Sequence, residues 1–222
     1  MTGFSHGISG EAASPRLVCG LDEAGRGPLA GPVCAAAVVL PRDFRLRLLA
    51  DSKKLKAAER EEARRAIVEG AIAWGVGWAT HAEIDELNIL RASLLAMRRA
   101  FDRLLAPAQA PWPDKLETES AFGSPFAPPV LPASIDAVAD GNHAPDLPIP
   151  CAALVKADSK VAEVMAASIL AKTARDQIME HYARLYPDYG YERHKGYPTA
   201  EHRKLVLQHG PSPIQRKSFR VR

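Results

Sequence analysis

Val18-Cys19-Gly20-Leu21-Asp22-Glu23-Ala24-Gly25-Arg26-Gly27-Pro28 is the stretch that decides how this 222-residue chain is read. A short apolar run ends in two adjacent carboxylates, then in a glycine turn that carries one arginine. Apolar runs that stop at Gly or Pro form buried strands, so the acids sit at a strand end, within reach of a hard metal ion. Arg26 between two glycines leaves backbone N–H groups free to approach an anion, with a guanidinium beside them. Taken alone the motif is weak, and a strand–turn whose acids are merely solvated explains it at least as well.

Outward from this turn, Pro32 to Leu40 is almost entirely apolar, which predicts a central strand joined to the first by a hairpin at Gly31-Pro32. Asp51-Ser52-Lys53-Lys54-Leu55 is a polar loop, in which Lys53 and Lys54 are placed to touch phosphate or simply to be solvated. Lys56–Gly70 reads as a charged helix with Ala63, Ala66 and Ile67 inward. Ala71 to Thr80 alternates at period two through Ile72, Trp74, Val76 and Trp78, a half-buried strand. After a turn or short helix at His81–Glu86 comes a long amphipathic helix from Asn88. Its stripe of Leu90, Leu94, Met97, Phe101 and Leu104 or Leu105 is core packing. Pro107 to Pro132 breaks the pattern with seven of the chain's eighteen prolines, predicting a protruding surface insertion.

Composition bounds the rest. With 47% hydrophobic and 25% charged residues, the chain suits one soluble domain over 17–222, preceded by a tail at 1–16. No stretch has the apolar length of a membrane span, and the Gly/Ser-rich start lacks the pattern of a signal peptide, so a cytoplasmic protein is expected. Cys19, Cys34 and Cys151 lie in apolar settings without a Cys-x-x-Cys pair and read as reduced, buried thiols. Net charge is +3, yet residues 193–222 hold eight Lys/Arg against one acid, for +7. A basic end on an acidic body fits a polyanion contact, with a solvated basic tail as the competing account.

Two more short strands end near acids. Ser134–Ala139 leads into Asp140-Gly141-Asn142, and Pro150–Lys156 leads towards Asp158-Ser159. Each acid alone is an ordinary turn or helix-cap residue. A long helix follows from Val161 to Tyr186 with Met165, Ile169, Met179, Tyr182 and Leu185 inward. Ser168 and Lys172 share one of its faces, and an acidic cluster would supply the partner that a buried Lys172 needs. The segment Tyr189–Thr199 alternates aromatic and cationic residues, Lys195 and Tyr197 among them, as in base or sugar stacking beside phosphates. A loop that packs its tyrosines on the domain is the alternative. Thr199 caps a last helix that ends at Gly210-Pro211.

Together Asp22, Glu23, Asp140 and Asp158 form an all-oxygen set at predicted strand ends, which points to Mg²⁺ or Mn²⁺. Two such ions can activate a water and stabilise a leaving oxygen in phosphodiester hydrolysis. The Gly-Arg-Gly turn and the basic, aromatic end make nucleic acid the substrate.

At this point the chain resembles the bacterial type 2 ribonuclease H family, ribonuclease HII. The resemblance rests on Gly20–Val33, Asp51–Leu55, Asp140–Asn142, Val155–Ser159, residues 166–172, His194–Thr199 and Lys217-Ser218-Phe219, in family order from about residue 17 to 219. It implies an α/β ribonuclease H-like fold with a mixed central sheet, flanking helices and a small helical C-terminal part. It also implies endonucleolytic cleavage of RNA in RNA/DNA hybrids and incision 5′ to single ribonucleotides in duplex DNA, giving 3′-hydroxyl and 5′-phosphate ends. The processes implied are ribonucleotide excision repair and DNA replication. Carried over by position, Asp22, Glu23, Asp140 and Asp158 would be the metal-binding catalytic acids. Gly25, Arg26 and Gly27 would read 2′-hydroxyls, and Tyr197 would stack on the sugar at the RNA–DNA junction. Lys53, Lys54 and Lys195 would contact the substrate, with Ser168 and Lys172 supporting the site. A monomer is expected. Residues 107–132 have no counterpart in the family core, and Ala157 stands where glycine is frequent. The alternatives are the sister type, ribonuclease HIII, which normally carries an added N-terminal domain, and an inactive hybrid-binding protein.

Overall fold

The structure, a computed structural model, describes residues 16–44, 47, 49, 57–106, 111–120, 122–123 and 135–221. Strand β1 (Leu17–Ala24) and strand β2 (Val33–Val39) form the predicted antiparallel hairpin around Gly31-Pro32. Every residue of β2 is buried, as its unbroken apolar sequence requires of an inner strand. Helix α1 (Ala57–Gly70) follows, then β3 (Ala73–Ala79), α2 (His81–Leu87) and α3 (Ile89–Leu105). Beyond lie β4 (Phe122–Gly123), β5 (Ile135–Asp140), β6 (Cys151–Leu154), α4 (Ala162–Leu185), α5 (Tyr191–His194) and α6 (Ala200–His209). Among the described residues the sheet has six strands in the order β4-β3-β2-β1-β5-β6, antiparallel from β4 to β1 and parallel from β1 to β6. The fold is therefore the expected mixed α/β sheet.

One face of the sheet packs against α4 and α1, the other against α3. This corrects the reading of β3 as half buried, since all seven of its residues are buried. Trp74, Val76 and Trp78 enter the core under α4, while Ala73, Gly75, Gly77 and Ala79 turn to α3. A Cβ at Gly77 would collide with the backbone of Ala96 and Ala100, so the glycines let α3 lie directly on the strand. That contact also changes which residues of α3 face inward. Ala92, Ala96 and Ala100 join Met97, Phe101 and Leu104 against the sheet, whereas Leu90 and Leu94 of the expected stripe are only half-buried.

Where it is described, the Pro-rich segment lies on the surface, as expected, but is anchored to the body. Trp112 and Leu116 are buried in the α4 core, with Trp112 tilted on Trp74 at 5.9 Å between ring centroids. Phe122–Gly123 then pairs with β3 as an edge strand. Two large apolar side chains are enough to draw a proline-rich stretch onto the body even where prolines forbid regular structure. At the other end, Leu185 is exposed, not inward as expected, and Pro187 stops α4 as expected. The N-terminal tail lies outside the described residues up to residue 15.

Candidate active site

The site begins with the placement of β1 between β2 and β5. In the parallel register Leu21 lies opposite Ala139, so the next residues, Asp22 and Asp140, arrive side by side. The Asp140 Oδ1 accepts a hydrogen bond of 2.7 Å from the Ala157 N–H. This bond carries the one-turn 3₁₀ helix Ala157–Ser159, with buried Asp158, up to the end of β5. Lys156 makes the bend with a left-handed φ of 58°, whereas Ala157 has no positive φ, so alanine replaces the family's glycine without strain. Two of the strand-end assignments are thereby adjusted. Asp22 and Glu23 lie within β1, which continues to Ala24, and Asp158 sits on a helical turn beyond β6.

Burial gives the acids their electrostatics. Asp22 is 6% exposed, and burial, then the neighbouring Glu23 charge, pushes its carboxyl well above the ordinary range. Hydrogen bonds from Ser168 and from the Glu23 N–H (2.7 Å, to Oδ1) oppose that rise. Glu23 is raised by burial too, with the Arg26 guanidinium at 3.1 Å from Oε1 pulling it back. The other oxygen, Oε2, is buried without a hydrogen-bond partner. Carboxyls raised by burial and by neighbouring acids are groups that a bound cation would relieve. An oxygen-only donor set with an orphaned Oε2 fits a hard divalent ion. Among the described residues, however, no three of these side chains converge as they stand into an ion-sized group, and Glu23 is engaged by Arg26.

An open cleft of about 400 Å³ runs beside Glu23. The turn Gly25, Arg26, Gly27 forms one wall, and Ser168, Lys172 and Tyr197 form the other. Tyr197 is 39% exposed, its ring 5.9 Å from the Lys172 Nζ. Asp140 and its Gly141-Asn142 turn lie round the corner, lining with Glu23 and Arg26 a narrow gap of about 10 Å³. Three expectations change here. Lys172 takes its partner from Asp176, one helical turn on, at 2.6 Å, and not from the acidic cluster. Lys195 does not line the cleft: its Nζ is held by Glu180 at 3.1 Å and by the Glu192 carbonyl. Tyr189 and Tyr191 stack on each other and pack inward, so within the aromatic segment only Tyr197 faces the cleft. Lys53 and Lys54 lie outside the described residues.

The sequence reading missed three arginines. Arg60 of α1 lines the cleft and lies 3.5 Å from Asp176, but in the run Ala57–Arg65 it looks like one more solvated charge. Arg175 and Arg216 are fully buried behind the glycine turn. Arg216 belongs in sequence to the basic end of the chain, and nothing in its local sequence distinguishes it from Lys217 or Arg220.

Comparison with known proteins identifies the family. The family model described as ribonuclease HII matches residues 19–222. A ribonuclease HII of Treponema denticola is 50% identical over 210 residues, covering 93% of this chain and 99% of the relative. The crystal structure of ribonuclease H2 from Pyrococcus horikoshii aligns with a TM-score of 0.63 at 26% identity, covering 92% of this chain and 94% of that one. Bst ribonuclease HIII in complex with Mn²⁺ shares the fold with a TM-score of 0.65 at 18% identity, over 93% of this chain and 68% of that one. The chain belongs to the ribonuclease HII family and is a metal-dependent endoribonuclease that hydrolyses RNA in RNA/DNA hybrids.

Proposed function

We propose that this chain also incises duplex DNA 5′ to a single embedded ribonucleotide, leaving 3′-hydroxyl and 5′-phosphate ends. The observation that carries this reading is the cleft itself, where the Gly25–Gly27 turn, Tyr197 and Glu23 meet. Divalent ions, Mg²⁺ or Mn²⁺ and two during turnover, held by Asp22, Glu23, Asp140 and Asp158, would activate the attacking water and stabilise the leaving oxygen. Ser168 orients Asp22 through its hydrogen bond. Backbone N–H groups of the turn contact the ribose 2′-hydroxyl, the one group that separates RNA from DNA. Tyr197 offers an exposed ring to the sugar at the junction, and Lys172 and Arg60 bring positive charge to the phosphates. The protein acts as a monomer in the cytoplasm, away from membranes; among the described residues no helix is long and apolar enough to cross one.

The test is cleavage of a duplex holding one ribonucleotide, with Mg²⁺ and Mn²⁺ compared side by side. Incision 5′ to the ribonucleotide is expected; cleavage of long hybrids alone would remove the junction activity. Tyr197→Ala should weaken cutting at the single ribonucleotide about tenfold while long hybrids are cut nearly as before, since one stacking contact contributes roughly 1–3 kcal/mol. Equal losses on both substrates would argue against stacking at the junction.

A further inference from the structure

The Gly25–Gly27 turn is held from behind by two guanidiniums that, among the described residues, have no carboxylate at ion-pair distance. Arg216 donates from Nη2 to the Gly25 carbonyl at 2.6 Å and to the Pro32 carbonyl at 3.1 Å. Its Nη1 reaches the Arg26 carbonyl at 3.1 Å, and its Nε the Gly31 carbonyl at 2.8 Å. Arg175 donates to the carbonyls of Pro32 (3.0 Å), Ala30 (3.2 Å) and Lys195 (3.0 Å). A side chain at Gly25, whose φ is +101°, would collide with Arg175. Both guanidiniums are fully buried, and among the described residues neither forms an ion pair. Burying an unpaired cation is costly, yet here each one is spent on backbone carbonyls.

We propose that Arg216, seconded by Arg175, is a positioning residue for ribose recognition, fixing the peptide orientation of the turn that reads the 2′-hydroxyl. This rests on the reading of that turn given above. The link is peptide geometry. Among the described residues no peptide is cis, and in a planar trans peptide the N–H points opposite to the preceding C=O. With the Gly25 and Arg26 carbonyls drawn onto Arg216, the N–H groups of Arg26 and Gly27 are turned away from it, as donors for a ligand. A planar fork of five donors can hold two successive carbonyls in fixed directions, which a lysine ammonium cannot.

Arg216 is itself delivered by a strap. The Gly31 N–H donates to the Ile214 carbonyl and the Arg216 N–H to the Leu29 carbonyl, each at 2.9 Å, beside a bridge between Ala30 and Gln215. Asp85 of α2 then locks the strap from outside, accepting from the Lys217 N–H (2.9 Å), the Ser218 N–H (2.8 Å) and the Ser218 hydroxyl (2.6 Å). The Phe219 ring lies 5.0 Å from the Arg216 guanidinium. Asp85 makes no contact with the turn, so it gives an independent handle on the same device.

The experiment compares binding of the full chain, in Ca²⁺, to a duplex with one ribonucleotide and to the same duplex in all-DNA form. Arg216→Lys should cut the preference for the ribonucleotide about tenfold, as expected for a misdirected hydrogen bond or two, with all-DNA affinity kept within about twofold. Asp85→Asn should lower the preference about threefold in the same direction, and it serves if Arg216→Lys fails to fold. A staple that only stabilises the fold would lower the melting temperature and the active fraction but leave the preference unchanged; that result overturns the proposal. If the parent protein itself shows no preference, the ribose-reading role of the turn falls, and the positioning role with it.

Discussion

Two groups of buried charge lie beside the Gly25–Gly27 turn and are treated in opposite ways. The carboxylates of Asp22 and Glu23, on successive residues of β1, are raised by burial with only partial relief from Ser168 and Arg26, and Glu23 Oε2 has no hydrogen-bond partner. The guanidiniums of Arg175 and Arg216, packed behind the glycine turn, donate to backbone carbonyls through all their nitrogens. The difference separates working groups from framing groups. A charge meant to take up a ligand is kept short of partners, and a charge meant to hold backbone is saturated.

The largest effect that would sharpen this contrast is on catalysis. Asp140→Asn should lower cleavage by more than about a hundredfold, yet leave the melting temperature nearly unchanged, because the amide oxygen can still accept from the Ala157 N–H. An active variant would remove Asp140 from the metal site. Next is Arg216→Met, which fills similar space but strands the carbonyls of Gly25, Arg26 and Gly31, while the Pro32 carbonyl keeps Arg175. It should destabilise the protein by about 3 kcal/mol in denaturant unfolding; a neutral result would mean the carbonyls find other donors and the cation is dispensable. Smaller, and of opposite sign, is Asp22→Asn, which should raise the stability of the metal-free protein by about 1 kcal/mol while abolishing turnover.

The smallest effect is the pH dependence of the metal-free protein. Asp22 and Glu23 have folded-state values raised above the ordinary 3.8 and 4.5. Between the ordinary and the raised values the folded state keeps protons that the unfolded chain has released. Their contribution to stability is therefore present below the ordinary values and is lost as pH rises through the raised ones. Asp22→Asn should flatten that decline, and added Mg²⁺, which binds ionised carboxylates, should stabilise more at pH 8 than at pH 5.5. A thermal-melt series with and without metal checks both; a metal effect independent of pH would argue that the acids are already ionised.

Much of this could be seen in the residues. The apolar run of β2, the Gly31-Pro32 hairpin, the Thr199 cap and the Pro187 stop depend on local chemistry, and they stand where that chemistry puts them. Other features depend on what lies across the sheet. The glycines of β3 looked like gaps in a half-exposed strand, and only the seating of α3 explains them. Trp112 among prolines looked like part of a loop until Trp74 supplied its partner. The sequence suggests an acidic cluster as the partner of Lys172, whereas the packed helix gives it Asp176, four residues along the same face.

The sequence by itself determined most element types and showed four acids and a Gly-Arg-Gly turn beside short apolar runs, because turns and carboxylates are written in consecutive residues. Tertiary structure alone decided that Asp22 and Asp140 stand side by side, since parallel register joins residues more than a hundred positions apart. It alone also decided that Arg216, one cation in a basic run, is buried behind the turn while its neighbours Lys217 and Arg220 stay exposed. Charge is a property of the residue, whereas burial and partnership are properties of the packing around it.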